Sequence, residues 1–177
     1  MSYLLLSISG HDRAGIVRDV SEALLNLNAN IEDSSMTSLR GRFTMMLIVQ
    51  LAESEALGAL KASLAELEQR TGLTVQSQPI SEEEASSVPQ EPDCVITVSG
   101  ADKVGIVHAV TDVLANNGVS IVDVSTRARE GEQGDIYMMA LEVVTAGKVE
   151  PLRAPLAAVA EELGVDVELH ELNEDVI

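Results

Sequence analysis

One segment of this chain has residue types and spacing suited to ligand chemistry, and it occurs twice. Gly10-His11-Asp12-Arg13-Ala14-Gly15-Ile16 lies between an alternating apolar run and an amphipathic one, and Gly100-Ala101-Asp102-Lys103-Val104-Gly105-Ile106 is placed in the same way. Each segment reads as a loop feeding the start of a helix. The first turn of a helix carries N–H groups without intrahelical acceptors and a partial positive charge, which suits a carboxylate or a phosphate. Gly15 and Gly105 have no side chain, so a ligand or a neighbouring backbone can come close. Asp12 and Asp102 admit two readings: a plain helix N-cap, or a partner for a ligand's ammonium group.

Other chemistry finds little support. His11, His108 and His170 lie far apart in the sequence and none begins a cluster with metal-ligand spacing, so the expectation is no metal. Cys94 is the single cysteine, which rules out an intrachain disulfide, and it opens the apolar run Cys94-Val95-Ile96 as a small hydrophobe. No nucleophile elbow and no nucleotide-binding phosphate loop occurs. The expectation is a non-enzyme without a cofactor. Met45, Met46, Met138 and Met139 fall in apolar runs and read as core filling.

The elements that must position the two loops follow from a duplication. Gly15 recurs as Gly105, an offset of 90, and the match continues without a gap through Val20 and Val110, Leu24 and Leu114, Ile31 and Ile121, and Asp33 and Asp123. Asn28 falls on Gly118, the two residue types that best tolerate a left-handed turn after a helix. Leu4, Leu6 and Ile8 alternate as a strand. Ile16, Val17, Val20 and Leu24 then mark one face of a helix. A strand near 31–39, a turn at Arg40-Gly41-Arg42 and a strand over 43–51 follow. A second helix starts near Ser54, shows Leu57, Leu60, Leu64 and Leu67 on one face, and ends at Gly72. A last strand runs from about 73 to 79.

The second copy repeats this order, with a longer turn over 129–135 and an uncertain helix start around Pro151 and Pro155, since proline suits only a first turn. Its last strand is expected over 165–172. The reading is α+β: two βαββαβ units in tandem, each a four-stranded, largely antiparallel sheet with two helices on one face, the ferredoxin-like arrangement. The expected divisions are domain 1 over 1–80, a linker over 81–93 and domain 2 over 94–177. The linker, rich in Ser, Glu and Pro, reads as an exposed spacer.

With 29 acidic and 11 basic residues the net charge is −18, which argues against direct binding to nucleic-acid phosphates. Only 2% of residues are aromatic, so a base-stacking platform is also unexpected. The N-terminus lacks a basic lead and no run approaches a membrane span, so the expectation is a cytoplasmic protein without a membrane partner.

Asp12-Arg13-Ala14-Gly15-Ile16 and Asp102-Lys103-Val104-Gly105-Ile106 resemble the Asp-Arg-Pro-Gly-Ile motif of ACT domains, the amino-acid-sensing modules. Ala29-Asn30-Ile31-Glu32-Asp33 resembles the start of that family's second strand. The two-copy layout is similar to the glycine cleavage system transcriptional repressor family. In ACT domains the ligand sits where the first loop of one domain meets the second strand of another. The resemblance therefore implies ligand contacts at Asp12, Arg13, Ala14, Gly15 and Ile16, with Asn30 and Ile31 facing from a neighbouring domain, and at Asp102, Gly105 and Ile106 in the second copy.

On this resemblance the loop N–H groups take the ligand's carboxylate and Asn30 reads its polar groups. An Asn amide both donates and accepts; the alternative is a plain turn residue before a strand. Ala14 and Val104 depart from the family's proline, and Ser120 replaces Asn30 in the second copy, so the first copy is the expected binder. The implied function is a non-catalytic, amino-acid-sensing regulator, with glycine as the ligand of the nearest resemblance, acting through a protein partner such as a DNA-binding regulator. The competing reading is an interaction or homo-oligomerisation module that binds no ligand.

Overall fold

In the computed structural model, residues 2–52, 56–129 and 136–172 are described, and nothing is stated of the side chains of 56 and 57. The chain divides into two units, Met1–Val88 and Pro89–Ile177. The first unit comprises strand β1 (Ser2–His11), helix α1 (Ile16–Leu25), strands β2 (Asn30–Leu39) and β3 (Arg42–Leu51), helix α2 (Ala56–Thr71), strand β4 (Thr74–Ile80) and a single helical turn α3 (Glu82–Ala85). The second comprises β5 (Cys94–Ala101), α4 (Ile106–Asn116), β6 (Ser120–Arg129), β7 (Ile136–Val144), α5 (Glu150–Leu163) and β8 (Val165–Glu171). The architecture is α+β, βαββαβ twice.

Each sheet is antiparallel throughout, in the orders β2-β3-β1-β4 and β6-β7-β5-β8. Strand alternation sends Leu4, Leu6 and Ile8 of β1 and Phe43, Met45, Leu47, Val49 and Leu51 of β3 to one face. There they join Ile16, Val20 and Leu24 of α1 and Leu60, Leu64 and Leu67 of α2 in a single apolar cluster. The second unit builds its twin around Ile96, Val98, Val110, Leu114, Leu141 and Leu152, and Cys94 is fully buried in it.

Alternation also corrects the reading of the methionines. Met45 and Met139 are core residues, but Met46 and Met138 lie on the opposite face and are each 53% exposed. Likewise Val17 and Val107 sit about 100° round the helix from Ile16 and Ile106 and are exposed, while Ala23 completes the buried stripe of α1. The edge strands β2 and β6 have no buried residue along their ten positions.

Local backbone chemistry sets the connections. Arg40 (φ 48°) and Gly41 (φ 77°) form the two-residue turn between β2 and β3, with positive φ at both centres. Asn28 (φ 50°) and Gly118 (φ 69°) both adopt the left-handed conformation expected after the first helix of each unit. Helix α5 starts at Glu150 with Pro151 in its first turn, and it also accommodates Pro155 inside the helix, against the sequence expectation. The start of the second helix near Ser54, the placement of Leu57 on its inner face and the long turn over 130–135 fall outside the described residues. The segment after β4 is not all spacer. Ser81 and Glu84 form a reciprocal capping box that holds α3.

Candidate functional site

The loop after β1 enters α1 through Gly15, which has φ 89°, and its twin Gly105 has φ 101°. That backbone shape alone requires glycine, so room for a ligand is not needed to explain either residue. No side chain caps α1 or α4. The N-cap reading of Asp12 and Asp102 is therefore wrong: the helices begin four residues later, at Ile16 and Ile106. Asp12 instead ties the loop to the β2–β3 turn. Its backbone N–H donates to the Gly41 carbonyl across 2.9 Å, and its carboxylate accepts from the Ser38 hydroxyl.

Asp19 was not anticipated. It lies on the inner side of α1, 7% exposed, and accepts from Arg13 Nη2 at 2.7 Å and from Arg18 Nη2 at 2.8 Å. The hydrogen bond from Arg13, then that from Arg18, lowers its pKa to about 2, against the smaller effect of burial. Arg13 also donates to the Ala14 carbonyl at 3.2 Å. One signal in the sequence pointed to this cluster. Asp19 is matched by Ala109 in the second copy, and a carboxylate on a buried helix face needs a cationic partner. In the second unit Lys103 turns elsewhere and donates to the Leu163 carbonyl at 2.6 Å, at the C-terminal end of α5.

Asn30 opens β2 at the other end of the sheet. It pairs with Gln50, which pairs with Tyr3, whereas Ser38 pairs with Phe43, which pairs with Gly10. Eight strand residues separate the two ends, roughly 26 Å. A single domain therefore does not bring Asn30 and Ile31 to Asp12, Arg13, Ala14, Gly15 or Ile16. Asn30 is exposed and donates to Glu32 Oε1 at 2.8 Å.

Beside Asn30 an open groove of about 490 Å³ runs between α1 and β2, floored by Leu24, Leu25 and Ile31 and edged by Arg18 and Glu22. The second unit carries its counterpart, about 440 Å³, at the matching positions Leu114, Ala115 and Ile121. Both units also shift register at the same place in the edge strand, between Ile31 and Asp33 and between Ile121 and Asp123, a β-bulge next to the groove. Asp102 and Gly105 occupy the equivalent loop of the second unit, where Val104 is fully exposed, and Ile106, buried, opens α4. Among the described residues no group of three or more His, Cys, Asp or Glu could hold a metal ion, and no helix is long and apolar enough to cross a membrane.

The sequence pattern of the family described as ACT domain matches residues 2–78 and again 93–170. A UPF0237 protein of Methanopyrus kandleri is 38% identical over 76 residues, 42% of this chain and 84% of its own. Its counterpart in Methanocaldococcus jannaschii is 34% identical over 76 residues, with the same coverage. Among solved structures, a Galdieria sulphuraria protein described only as an unknown protein is 32% identical, covers 97% of this chain and 99% of its own, and superposes with a TM-score of 0.77. A protein described as a glycine cleavage system transcriptional repressor shares the fold over 98% of both chains, with a TM-score of 0.72 and 19% identity.

Proposed function

The chain belongs to the ACT-domain family, and from that premise we propose that it is a non-catalytic regulatory protein that binds an amino acid through its first domain. The observation that carries this reading is the loop into α1. It reaches an uncapped helix start on a left-handed glycine, so the first-turn N–H groups have no side-chain acceptor. A carboxylate suits those groups. Asn30 supplies the polar group for the rest of the ligand, coming from a second ACT domain because its own loop is a sheet-length away. Glycine is the first candidate ligand, by similarity to the repressor fold. The output is a change in contact with a protein partner, such as a DNA-binding regulator. Direct DNA binding is not part of the proposal, since the chain carries −18.

The test is a thermal-shift screen of the full chain against the amino acids. A ligand at about one hundred times its dissociation constant stabilises by about 2.7 kcal/mol and raises the midpoint by a few degrees. Asn30→Ala, at an exposed position, should abolish the shift and leave the ligand-free melt unchanged. Gly15→Val is unsuitable as a probe, because φ 89° makes any side chain there strained whether or not a ligand binds. An absence of any shift at millimolar concentration would favour the other reading, a ligand-free interaction or oligomerisation module. That reading has its own support in the wholly exposed edge strands, where Ile31, Met36, Leu39, Ile121, Val122 and Val124 stand open to solvent.

A further inference from the structure

Basic charge is scarce in this protein, yet four of its 11 Lys and Arg residues meet at one end of the first domain. Arg13 lies in the loop and Arg18 in the first turn of α1, while Arg40 and Arg42 flank Gly41 in the β2–β3 turn. The Asp12–Gly41 hydrogen bond holds that turn against the loop, so four arginines gather at one end of a chain of −18, near Asp12, Asp19 and, beside Arg18, Glu22. Both Arg13 and Arg18 reach the loop's glycine. Their terminal nitrogens lie 3.8 Å and 3.4 Å from where a Cβ of Gly15 would stand.

Asp19 fixes both without exhausting them. A guanidinium has five N–H donors. Arg13 uses two, on Asp19 and on the Ala14 carbonyl, and Arg18 uses two on Asp19. Six donors in two planar forks are left, the pattern that suits carboxylates and phosphates. At the positions equivalent to Asp19, Arg18 and Arg42 the second domain has Ala109, His108 and Ile136, and Lys103 caps α5, while its arginines at that end, Arg127 and Arg129, lie on β6.

The geometry points to a ligand with a second negative charge: an amino acid whose side chain ends in a carboxylate or a phosphate, taken by the first domain. This inference rests on the reading of the first loop as the ligand's seat and adds the charge of the ligand. Asp19 is a positioning residue in it, and Arg13, Arg18, Arg40 and Arg42 together supply the positive charge that determines specificity.

The experiment is calorimetric titration of the full chain at low salt with four probes: L-aspartate, its neutral isostere L-asparagine, O-phospho-L-serine and glycine. Aspartate or phosphoserine should bind roughly tenfold more tightly than asparagine and glycine, since each exposed charge pair contributes a few-fold. Whichever of the two binds more tightly identifies the anionic group. Arg18→Gln, at a side chain 78% exposed, should erase most of that preference, as should Arg40→Asn combined with Arg42→Gln. Arg70→Gln, outside the cluster, should retain it. Equal binding of aspartate and asparagine, or an unchanged preference in both sets of arginine variants, overturns the inference while leaving the amino-acid reading intact. Binding of none of the four probes overturns both.

Discussion

Arg13 in the loop and Asp19 on the inner face of α1 are joined across 2.7 Å, and Arg18 holds the other carboxylate oxygen at 2.8 Å. The carboxylate is thus a two-sided anchor for the segment that precedes the helix. Its pKa of about 2, against an ordinary 3.8, fixes the sign of a pH effect. A depressed folded-state value means that the ionised form is favoured on folding. The stabilisation is complete above about pH 4 and disappears as the pH falls towards 2. Asp19→Asn should therefore melt below the parent protein at pH 6, and the gap should close as both are taken down to pH 2.5. A gap that stays constant with pH would mean that packing, not charge, is what Asp19 contributes.

Gly10 and Gly100 let the end of β1 and of β5 lie close against the residue that precedes or opens the last strand. A Cβ on Gly10 would stand 2.6 Å from Leu73 Cδ2, the far end of a side chain that can turn. On Gly100 it would stand 2.9 Å from Val165 Cγ1 and 3.1 Å from the Val165 Cα, which cannot. Overpacking of this kind costs about 1–3 kcal/mol. Gly100→Ala is expected at the upper end of that range and Gly10→Ala at the lower, read from denaturant midpoints. The reverse order would show that the Leu73 site is the more rigid of the two.

Asp93 falls in the segment expected as linker, 81–93, but it is bonded into the second unit. Its carboxylate accepts from Thr145 N at 2.7 Å, Thr145 Oγ1 at 3.0 Å and Gly147 N at 3.4 Å. Burial works against the charge, and the hydrogen bonds from Thr145, Gly147 and Ala146 outweigh it, so the pKa is lowered. Asp93→Ala strands the buried Thr145, 2% exposed, and should cost about 1–3 kcal/mol. A variant as stable as the parent would show that water replaces the carboxylate fully. The Asp93 contribution should also fade below the ordinary carboxylate range, because the folded state favours its ionised form.

The contrast between Asp93 and Gly15 shows what was legible in the sequence. The duplication, the strand alternation of Leu4, Leu6 and Ile8 and the left-handed turns at Asn28 and Gly118 are local or periodic, and local rules read them. Val17 and Met46 lie outside the core against expectation, because an apolar residue next to a buried stripe carries no sign of which side of the boundary it falls on. Asp19 and Asp93 depend on partners that only the fold delivers, six positions away through a loop in one case and 52 in the other. The candidate loop was visible from its motif. The strand near 31–39 was also legible, but the pairing that sets Asn30 a sheet-length from its own loop is not contained in a motif.

The last prediction concerns where the two units separate. Residues 86–92 form no helix or strand, and Val88 is 87% exposed, whereas Ser81–Ala85 is held by the capping box. Subtilisin at low ratio should therefore cut first between Ser86 and Pro92, not within α3, with the site read by mass spectrometry. Each fragment should melt cooperatively, because each unit contains a complete apolar cluster. The position of the cut matters for the second fragment. Cleavage before Asp93 keeps the Thr145 contacts, and a fragment beginning at Cys94 loses them. A recombinant chain of residues 94–177 should thus be less stable than one of residues 89–177, by more than the roughly 1–3 kcal/mol assigned to the Asp93 side chain, because the backbone bonds from Asp93 N to Val143 and from Leu172 N to the Asp93 carbonyl go with it. Equal stability of the two would return Asp93 to the linker, and first cuts within β2 or β3 would show that the unit boundary is misplaced.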